Sequence, residues 1–434
     1  GKYAFAGTGI TEIEMLDNVK SIGEGAFADT NLNTVILNDG LETIGDNAFA
    51  NTAITSITIP GSVESIGEGA FADTNLSTIV LKEGLKTIGD NAFANTAITS
   101  ITIPGSVESI GEGAFADTNL NTVTLNDGLK TIGDNAFAGT GITSITIPGS
   151  VTEIGNGAFD GCEYLADITL NEGLKTIGDN AFANTAIVEI TIPNSVESIG
   201  KNLFKNCVEL ETISIPISLE IMEEMFEGCT NLKKIILTGN VGYDYNENTY
   251  MNTPWQIRDL ISLEVVVSEE VTHIGEYMFY NSGSVLEGSL SGFVTKGHNA
   301  FSSTRLTEIR IPEGVTEIAD GAYEGHTELE TVYLPSTLET IGKNAFKDSG
   351  LTTITIPEGG THIGEGAFEN CFNLREIIIP NSVISIDENA FKECSNLTKL
   401  TMPIDVEITE GMLEGCHSLV EITLTGGAEG TGFA

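Results

Sequence analysis

Residues 44–60 read IGDNAFANTAITSITIP, residues 88–104 read the same letters, and residues 132–148 repeat them with two changes as IGDNAFAGTGITSITIP. A catalytic centre is assembled from side chains that differ and converge, so copying it serves no purpose. Copying does suit a molecule that needs one long, regular surface built from stacked units. This stretch therefore predicts a repeat protein.

The marker of the repeat is a small residue followed by an aromatic one, usually Ala-Phe. Its step is 22 residues, occasionally 23, with one jump of 53. A fixed period of this size is the signature of stacked repeat architectures. Two forms of the unit, GEGAFADTNL and GDNAFANTAI, alternate in the N-terminal part and give a 44-residue double unit. The marker positions are Phe5, Phe27, Phe49, Phe71, Phe93, Phe115, Phe137, Phe159, Phe182, Phe204, Phe226, Phe279, Phe301, Tyr323, Phe346, Phe368, Phe391 and Leu413.

One unit, starting at Ile54, shows how each repeat is built. Residues 56–59, SITI, alternate polar and β-branched side chains, which predicts a strand with one buried face. Pro60 ends that strand, because proline cannot donate to a continuing ladder. Residues 66–71, IGEGAF, predict a helical or 3₁₀ turn with one apolar face. A single unit cannot bury its apolar side alone, so we expect the units to stack with parallel strands.

The pattern Leu/Ile-x-x-Ile-x-Ile-Pro, followed by Ile-Gly-x-x-Ala-Phe-x-x-Cys/Thr, resembles the BspA-like class of leucine-rich repeats over about 370 of the 434 residues. The resemblance implies an α/β-type repeat solenoid. That solenoid is a right-handed superhelix with parallel strands on the concave face and short helical, 3₁₀ or irregular segments on the convex face. The repeat count predicts about 19 turns. The family's members are typically surface or secreted proteins of host-associated bacteria and some protist parasites, linked to adhesion, and share no catalytic residues.

The regularity of the repeats divides the chain into four segments. Residues 1–237 form a first arm of near-identical repeats, and residues 238–300 form degenerate repeats with an aromatic-rich insertion. Residues 301–424 form a second arm, and residues 425–434 read as a Gly-rich tail. The chain opens in mid-pattern and closes on this linker-like sequence, so we interpret both ends as cuts.

The charge is strongly asymmetric, with 62 acidic residues against 19 basic ones and a formal net charge of -43. Such a surface repels nucleic acid and anionic lipid, so neither is an expected partner. Cations and basic protein patches suit it better. The sequence has no apolar run long enough for a membrane span and no leader-like start.

The position three residues after the marker aromatic carries a thiol, a hydroxyl or, once, the imidazole of His326. Bridged cysteines need Cβ atoms closer than the spacing of stacked strands, so we expect free, buried thiols, with disulfides or metal ligation as alternatives. The hydroxyl-lined and thiol-lined loops are interpreted as two geometries that fill the same space. Cysteine occupies the position at Cys162, Cys207, Cys229, Cys371, Cys394 and Cys416.

The position three residues before the marker carries a column of carboxylates. Neighbouring turns would place like charges close together, and Ca²⁺ favours such oxygen ligands. The alternative is a solvated acidic edge that keeps a long apolar stack soluble. The weak candidate metal ligands are Glu24, Asp46, Glu68, Asp90, Glu112 and Asp134.

The sequence offers no recognisable enzyme motif. GxSxG, HExxH and P-loop patterns are missing, and the repeated AGTGI lacks the third glycine of a dinucleotide loop. The five histidines are scattered. We therefore expect no enzymatic activity and no cofactor.

Two regions are candidates for partner binding. Exposed aromatic residues suit recognition of protein or sugar surfaces, although those of the insertion could instead plug the joint between the arms. In the second arm the outward strand residues vary, whereas in the first they are a monotonous Ser/Thr ladder. The candidates are Tyr243, Tyr245, Tyr250, Trp255, Tyr277 and Tyr280 in the interruption, and Glu308, Arg310, Tyr333, Glu376 and Lys399 in the second arm.

These features together predict a monomeric, non-enzymatic, extracellular or cell-surface adhesion protein. Its expected partner is a host matrix protein or another surface protein, with a glycan as the alternative. Two other hypotheses remain: a stalk that presents a different domain, and a cation-dependent surface sheath.

Overall fold

The structure, a computed structural model, describes residues 1–221, 223–239, 264–267, 273–274, 295–296, 307–311 and 313–426. The described chain winds into stacked coils joined by parallel strand pairs. It forms about 16 turns, fewer than the 19 that the repeat count predicted. The chain forms two compact units. Unit 1 comprises Gly1–Ser214 with Glu224–Leu232, and unit 2 comprises Ile215–Glu223 with Lys233–Ala434.

The longer strand of each turn confirms the alternation read from the sequence. In Ser56–Ile59 the side chains of Ile57 and Ile59 are buried, while Ser56 and Thr58 are exposed. The strand ends before Pro60, as predicted. Ser56 pairs with Thr78, the residue 22 positions later, so like positions lie side by side.

We call these longer strands the long-strand ladder. Its strands are Glu12–Glu14, Thr34–Ile36, Ser56–Ile59, Thr78–Leu81, Ser100–Ile103, Thr122–Leu125, Ser144–Ile147, Asp167–Leu170, Glu189–Thr191, Thr212–Pro216, Lys234–Thr238, Glu264–Val267, Glu308–Arg310, Thr331–Tyr333, Thr353–Thr355, Glu376–Ile378, Lys399–Pro403 and Glu421–Thr425.

A second ladder of two-residue strands runs beside the first, and sequence reasoning missed it. Such a strand is too short to show a period of two, although a β-branched isoleucine recurs in it. The strands of this short-strand ladder are Ser21–Ile22, Thr43–Ile44, Ser65–Ile66, Thr87–Ile88, Ser109–Ile110, Thr131–Ile132, Glu153–Ile154, Thr176–Ile177, Ser198–Ile199, His273–Ile274, Thr295–Lys296, Glu317–Ile318, Thr340–Ile341, His362–Ile363 and Ser385–Ile386.

The third side of each turn is a stacked turn segment, so the prediction of helical segments is wrong for nearly every described turn. In the described ranges the one helical segment is the 3₁₀ helix Glu223–Phe226. In the other turns alternate amides bond to the next turn, as Phe71 N does to Ala92 O at 2.8 Å, while those between them bond within their own turn, as Ala72 N does to Gly69 O at 3.0 Å. Gly69 and Asp73, on either side of Phe71, both have φ of 57°, a left-handed conformation that an α-helix cannot contain.

The marker aromatics form the centre of the core in both units. In unit 1 the rings stack in one continuous column from Phe5 to Phe226, with centroids 5.1–6.1 Å apart. In unit 2 the described column runs from Tyr323 to Phe391 at 5.3–5.4 Å. The central rings are fully buried. Each ring inside a column therefore contacts one ring in the turn before and one in the turn after, which ties the turns together.

Candidate binding surface

The long strands of unit 2 bring together the five second-arm residues singled out in the sequence. Parallel pairing sets Glu308 beside Thr331 and Arg310 beside Tyr333. Further along the same six-stranded sheet, Glu376 pairs with Lys399. Because residues in like register share a face of a sheet, all five lie on one outward surface. We call the outward side chains of the long strands between residues 308 and 423 the variable face.

The variable face has two columns of side chains, one at each outward position of the strands. The first column mixes both signs of charge, and the second mixes apolar groups, hydroxyls and one guanidinium. The first column is Glu308, Thr331, Thr353, Glu376, Lys399 and Glu421, and the second is Arg310, Tyr333, Thr355, Ile378, Thr401 and Thr423.

Two contacts order the charged side chains of this face. The Arg310 guanidinium carbon lies 4.1 Å from the centroid of the Tyr333 ring, a cation–π contact that holds both planar groups against each other. Lys399 Nζ lies 3.7 Å from a carboxylate oxygen of Glu421, and both side chains are about half exposed. Exposed pairs of this kind add about 1 kcal/mol or less to stability. These charges are therefore available to a partner.

Two large apolar side chains are exposed on the variable face. Tyr333 is 42% exposed and Ile378 is 50% exposed, with Thr355 in register between them. Phe372, in the loop that leads into the Glu376–Ile378 strand, is 51% exposed. Sequence reasoning passed over Phe372, although its place directly after Cys371 was a usable signal.

The same columns in unit 1 carry mostly hydroxyls, with carboxylates at Glu12, Glu14, Asp167 and Glu189. Ser56 and Thr58, Ser100 and Thr102, and Ser144 and Thr146 fill both outward positions of their strands with hydroxyls. Ile36 and Val80 are the exposed large apolar residues of the second column there. The contrast between the two units lies in side-chain chemistry, because both pair their long strands in the same parallel register.

The six aromatic candidates of the interruption lie outside the described residues. They are Tyr243, Tyr245, Tyr250, Trp255, Tyr277 and Tyr280.

The carboxylate column of unit 1 is partly engaged in holding adjacent turns together. Asp90 Oδ1 accepts the backbone N–H of Glu112 at 2.9 Å, and Asp46 and Asp134 each accept the corresponding amide of the next turn. Hydrogen bonds from Lys2 and then Tyr3 lower the pKa of Glu24. Within the described ranges, no group of three or more His, Cys, Asp or Glu side chains is arranged to hold a metal ion.

The thiol and hydroxyl positions lie in one column next to the marker aromatics. Thr118 Oγ1 donates to the carbonyl of Phe115 in its own turn at 2.9 Å. Cys162 Sγ instead donates to the carbonyl of Phe137, in the preceding turn, at 3.2 Å. The six cysteines are free, five of them buried and Cys416 half-buried, as the strand spacing predicted.

Burial controls the chemistry of these thiols. It raises the pKa of Cys162 to about 11 and that of Cys229 to about 12, because the ionised form would lose its hydration. The pKa of Cys394 is also raised, first by its hydrogen bond to Cys371 and then by burial. The thiolate is the reactive species, so burial favours the unreactive thiol form of these core cysteines.

A solenoid of short parallel strands, with one isoleucine-rich strand and one buried aromatic per turn of 22 or 23 residues, defines the leucine-rich repeat class. The sequence profile described as "BspA type Leucine rich repeat region (6 copies)" matches residues 1–121, 86–210, 130–255, 165–285, 197–330, 259–371 and 316–429. The chain belongs to this family, which confirms the resemblance read from its repeats.

Several solved structures of bacterial proteins resemble this chain at low sequence identity. A leucine-rich repeat protein from Bacteroides ovatus is 24% identical, with a TM-score of 0.37; the match covers 98% of this chain and 87% of that one. A leucine rich cell surface protein from Faecalibacterium prausnitzii is 23% identical, with a TM-score of 0.32 and coverage of 96% and 89%. The pneumococcal vaccine antigen PcpA is 18% identical, with a TM-score of 0.31 and coverage of 90% and 93%. No curated protein matches the sequence. Among the described residues, none of the helical structure could cross a bilayer.

Proposed function

We propose that this protein is a secreted or cell-surface adhesion protein that binds a protein partner through the variable face of unit 2. The observation that carries the proposal is the juxtaposition of Glu308, Arg310, Tyr333, Glu376 and Lys399 on one sheet face, where most of the corresponding positions of unit 1 carry hydroxyls. Leucine-rich repeat proteins generally bind proteins, and family membership supports the surface location.

The physical basis of binding is side-chain recognition on a rigid sheet. The backbone groups of the central strands are already paired with neighbouring strands, so a partner can meet only side chains. Exposed Tyr333 and Ile378 offer apolar area, which releases water when it is covered. The mixed charges around them set orientation and reject mismatched partners.

The partner that best fits this surface is a protein whose contact region has an apolar side chain at its centre and basic side chains around it. The chain's net charge of -43 attracts basic surfaces over long range and speeds their encounter. The same charge disfavours nucleic acid. We therefore propose a host matrix protein or another surface protein, with a glycan as the alternative, and a binding role rather than a catalytic one for this face.

The test is surface plasmon resonance against immobilised matrix proteins, bacterial surface proteins and glycans. The informative variant is Tyr333→Thr with Ile378→Thr, because Thr355 already occupies this column and the fold accepts it. The matched control is Ile36→Thr with Val80→Thr, which makes the same kind of change in unit 1. We expect the unit 2 pair to weaken binding at least tenfold and the unit 1 pair to leave it unchanged.

Equal losses from both pairs, or binding that survives the unit 2 pair, would contradict the proposal. Deletion of residues 243–255 on the same sensor tests the aromatic insertion separately.

A stalk is the second candidate, and the plain Ser/Thr ladder of unit 1 favours it. A stalk requires that neither pair of substitutions alters any interaction of the protein.

A further inference from the structure

A serine, a histidine and an aspartate meet on the short-strand ladder of unit 2, away from the long strands. His362 Nδ1 lies 2.6 Å from Ser385 Oγ, and His362 Nε2 lies 3.4 Å from Asp387 Oδ2. His362 and Ser385 are register partners on neighbouring strands, and Asp387 follows Ser385 by two residues. The three side chains thus form a continuous chain of polar contacts.

Asp387 breaks the rule of the repeat at a place where the backbone favours glycine. The residue after the short-strand isoleucine is glycine in most turns, because the preceding turn passes close by. A Cβ built at Gly364 would lie 2.8 Å from the backbone of Gly342, and one at Gly89 would lie 2.6 Å from Gly67. An aspartate at this position requires a local adjustment that every glycine-bearing turn avoids.

The second irregularity falls in the turn just before. The first residue of the short strand is serine or threonine in most turns, including Thr340 and Ser385 on either side, but it is His362 here. Two departures from the repeat therefore coincide, and together they bracket one serine hydroxyl. Departures from an otherwise consistent pattern are expected at functional sites.

We propose that Ser385 is an activated nucleophile that accepts acyl groups from activated carboxylic esters, with His362 as its general base and Asp387 as the positioning carboxylate. The arrangement requires His362 to carry its proton on Nε2, which the Asp387 carboxylate favours. Nδ1 is then an acceptor that faces the Ser385 hydroxyl. This activity goes beyond the proposed binding function and does not depend on it.

The reaction balances without a further reactant. Ser385 Oγ bonds to the ester carbonyl carbon while its proton passes to His362 Nδ1. Collapse of the tetrahedral adduct breaks the carbon–oxygen bond to the leaving group, which takes the proton from the imidazolium. The products are an acylated serine and the released alcohol or phenol, and water can later hydrolyse the acyl-serine with His362 again as base.

The rate of acylation at Ser385 is limited, because the nearby backbone N–H groups do not stabilise the oxyanion. The strand amides at His362 and Asp387 donate to the carbonyls of Glu339 and Ile363, so they are committed to the ladder. The acceleration must then come from the base, and general-base catalysis supplies about 10²-fold or somewhat more. Small activated esters that reach an exposed surface are the substrates that fit.

The test is site-resolved acetylation of the whole protein by p-nitrophenyl acetate, quenched with acid and read by peptide mass spectrometry. Ser109 is the internal control, because it holds the same place on its strand with Thr87 and Thr131 as register partners. We expect Ser385 to be acetylated about 10² times faster than Ser109. His362→Thr should bring Ser385 down to the rate of Ser109.

Asp387 is tested by two substitutions with opposite expectations. Asp387→Gly restores the residue of the common repeat, so folding is safe, and should slow the acetylation of Ser385. Asp387→Glu keeps a carboxylate and should recover part of the rate, which a merely structural role would not produce. Equal rates at Ser385 and Ser109, or an unchanged rate in His362→Thr, would show that the three residues only link adjacent turns through polar contacts.

Discussion

Replacing Phe115 with alanine should destabilise unit 1 far more than the same change at the end of the aromatic column. The Phe115 ring is fully buried and stacks on Phe93 at 5.3 Å and on Phe137 at 5.4 Å. Truncation of a buried phenylalanine costs about 3–5 kcal/mol, and the loss of two stacked neighbours places this site at the upper end.

Phe5 is the matched control, since its ring is 43% exposed and its described stacking partner is Phe27, at 5.1 Å. Phe5→Ala should cost about 2 kcal/mol or less. Phe115→Leu should lower the free energy of unfolding by an intermediate amount, because Leu413 shows that leucine can occupy the marker position.

The assay is urea unfolding followed by far-ultraviolet circular dichroism. Turns in a solenoid interact mainly with their neighbours, so a broken column should also make the transition broader or biphasic. Equal shifts of the midpoint for Phe115→Ala and Phe5→Ala would refute the idea that stacked rings hold the turns together.

Three further predictions concern side chains that lie inside the stack or link its turns. Thr118→Val removes the buried hydrogen bond to the Phe115 carbonyl and should cost about 1–2 kcal/mol in urea unfolding, whereas Thr58→Val on the exposed strand face should be neutral. Burial raises the pKa of Cys162 from 9.0 to about 11, so the unfolded thiol ionises first as pH rises. The contribution of this thiol to the free energy of unfolding should fall between those two values, by at most about 1.4 kcal/mol per pH unit, and Cys162→Thr measured over the same range should lack this part of the fall. Excess Ca²⁺ should leave the melting temperature unchanged, because Asp46, Asp90 and Asp134 already accept backbone N–H groups; a clear rise would revive the sheath hypothesis.

The long strands could be predicted from the sequence because their signal is local. In Ser56–Ile59 the alternation of hydroxyl and isoleucine predicts both the strand and its buried face, and Pro60 predicts where the strand ends. The 22-residue step then implies the register, since only a match of like with like covers every apolar face.

The third side of the turn could not be read in the same way. The apolar spacing of Ile66, Ala70 and Phe71 fits a helical turn, but the amide of Phe71 bonds to Ala92, 21 residues later in the chain. Whether an amide bonds within its own turn or to the next one is a tertiary choice, and apolar spacing is the same in both cases. The recurring Gly, Asn and Asp around the marker were the available signal, because they tolerate positive φ.

The candidate surface was predictable as a set of columns but not as a set of contacts. Variation at Glu308, Arg310 and Tyr333 marked the face, and parallel register placed the three together. The stacking of Arg310 on Tyr333 depends on rotamers and on the spacing of adjacent strands, which no sequence pattern encodes. The contacts of His362 went unnoticed for a related reason: they require the short-strand ladder, which sequence reasoning did not find.

Oxidative side-chain footprinting of the protein with and without its bound partner tests the central claim most directly. Tyr333 and Ile378 report on the variable face, while Tyr164, which is 66% exposed, and Ile384, which is 77% exposed, report on other surfaces. We predict that partner binding lowers the modification of Tyr333 and Ile378 and leaves Tyr164 and Ile384 as reactive as before. Protection of Tyr164 or Ile384, with Tyr333 and Ile378 still fully reactive, would contradict the assignment of the variable face as the binding surface.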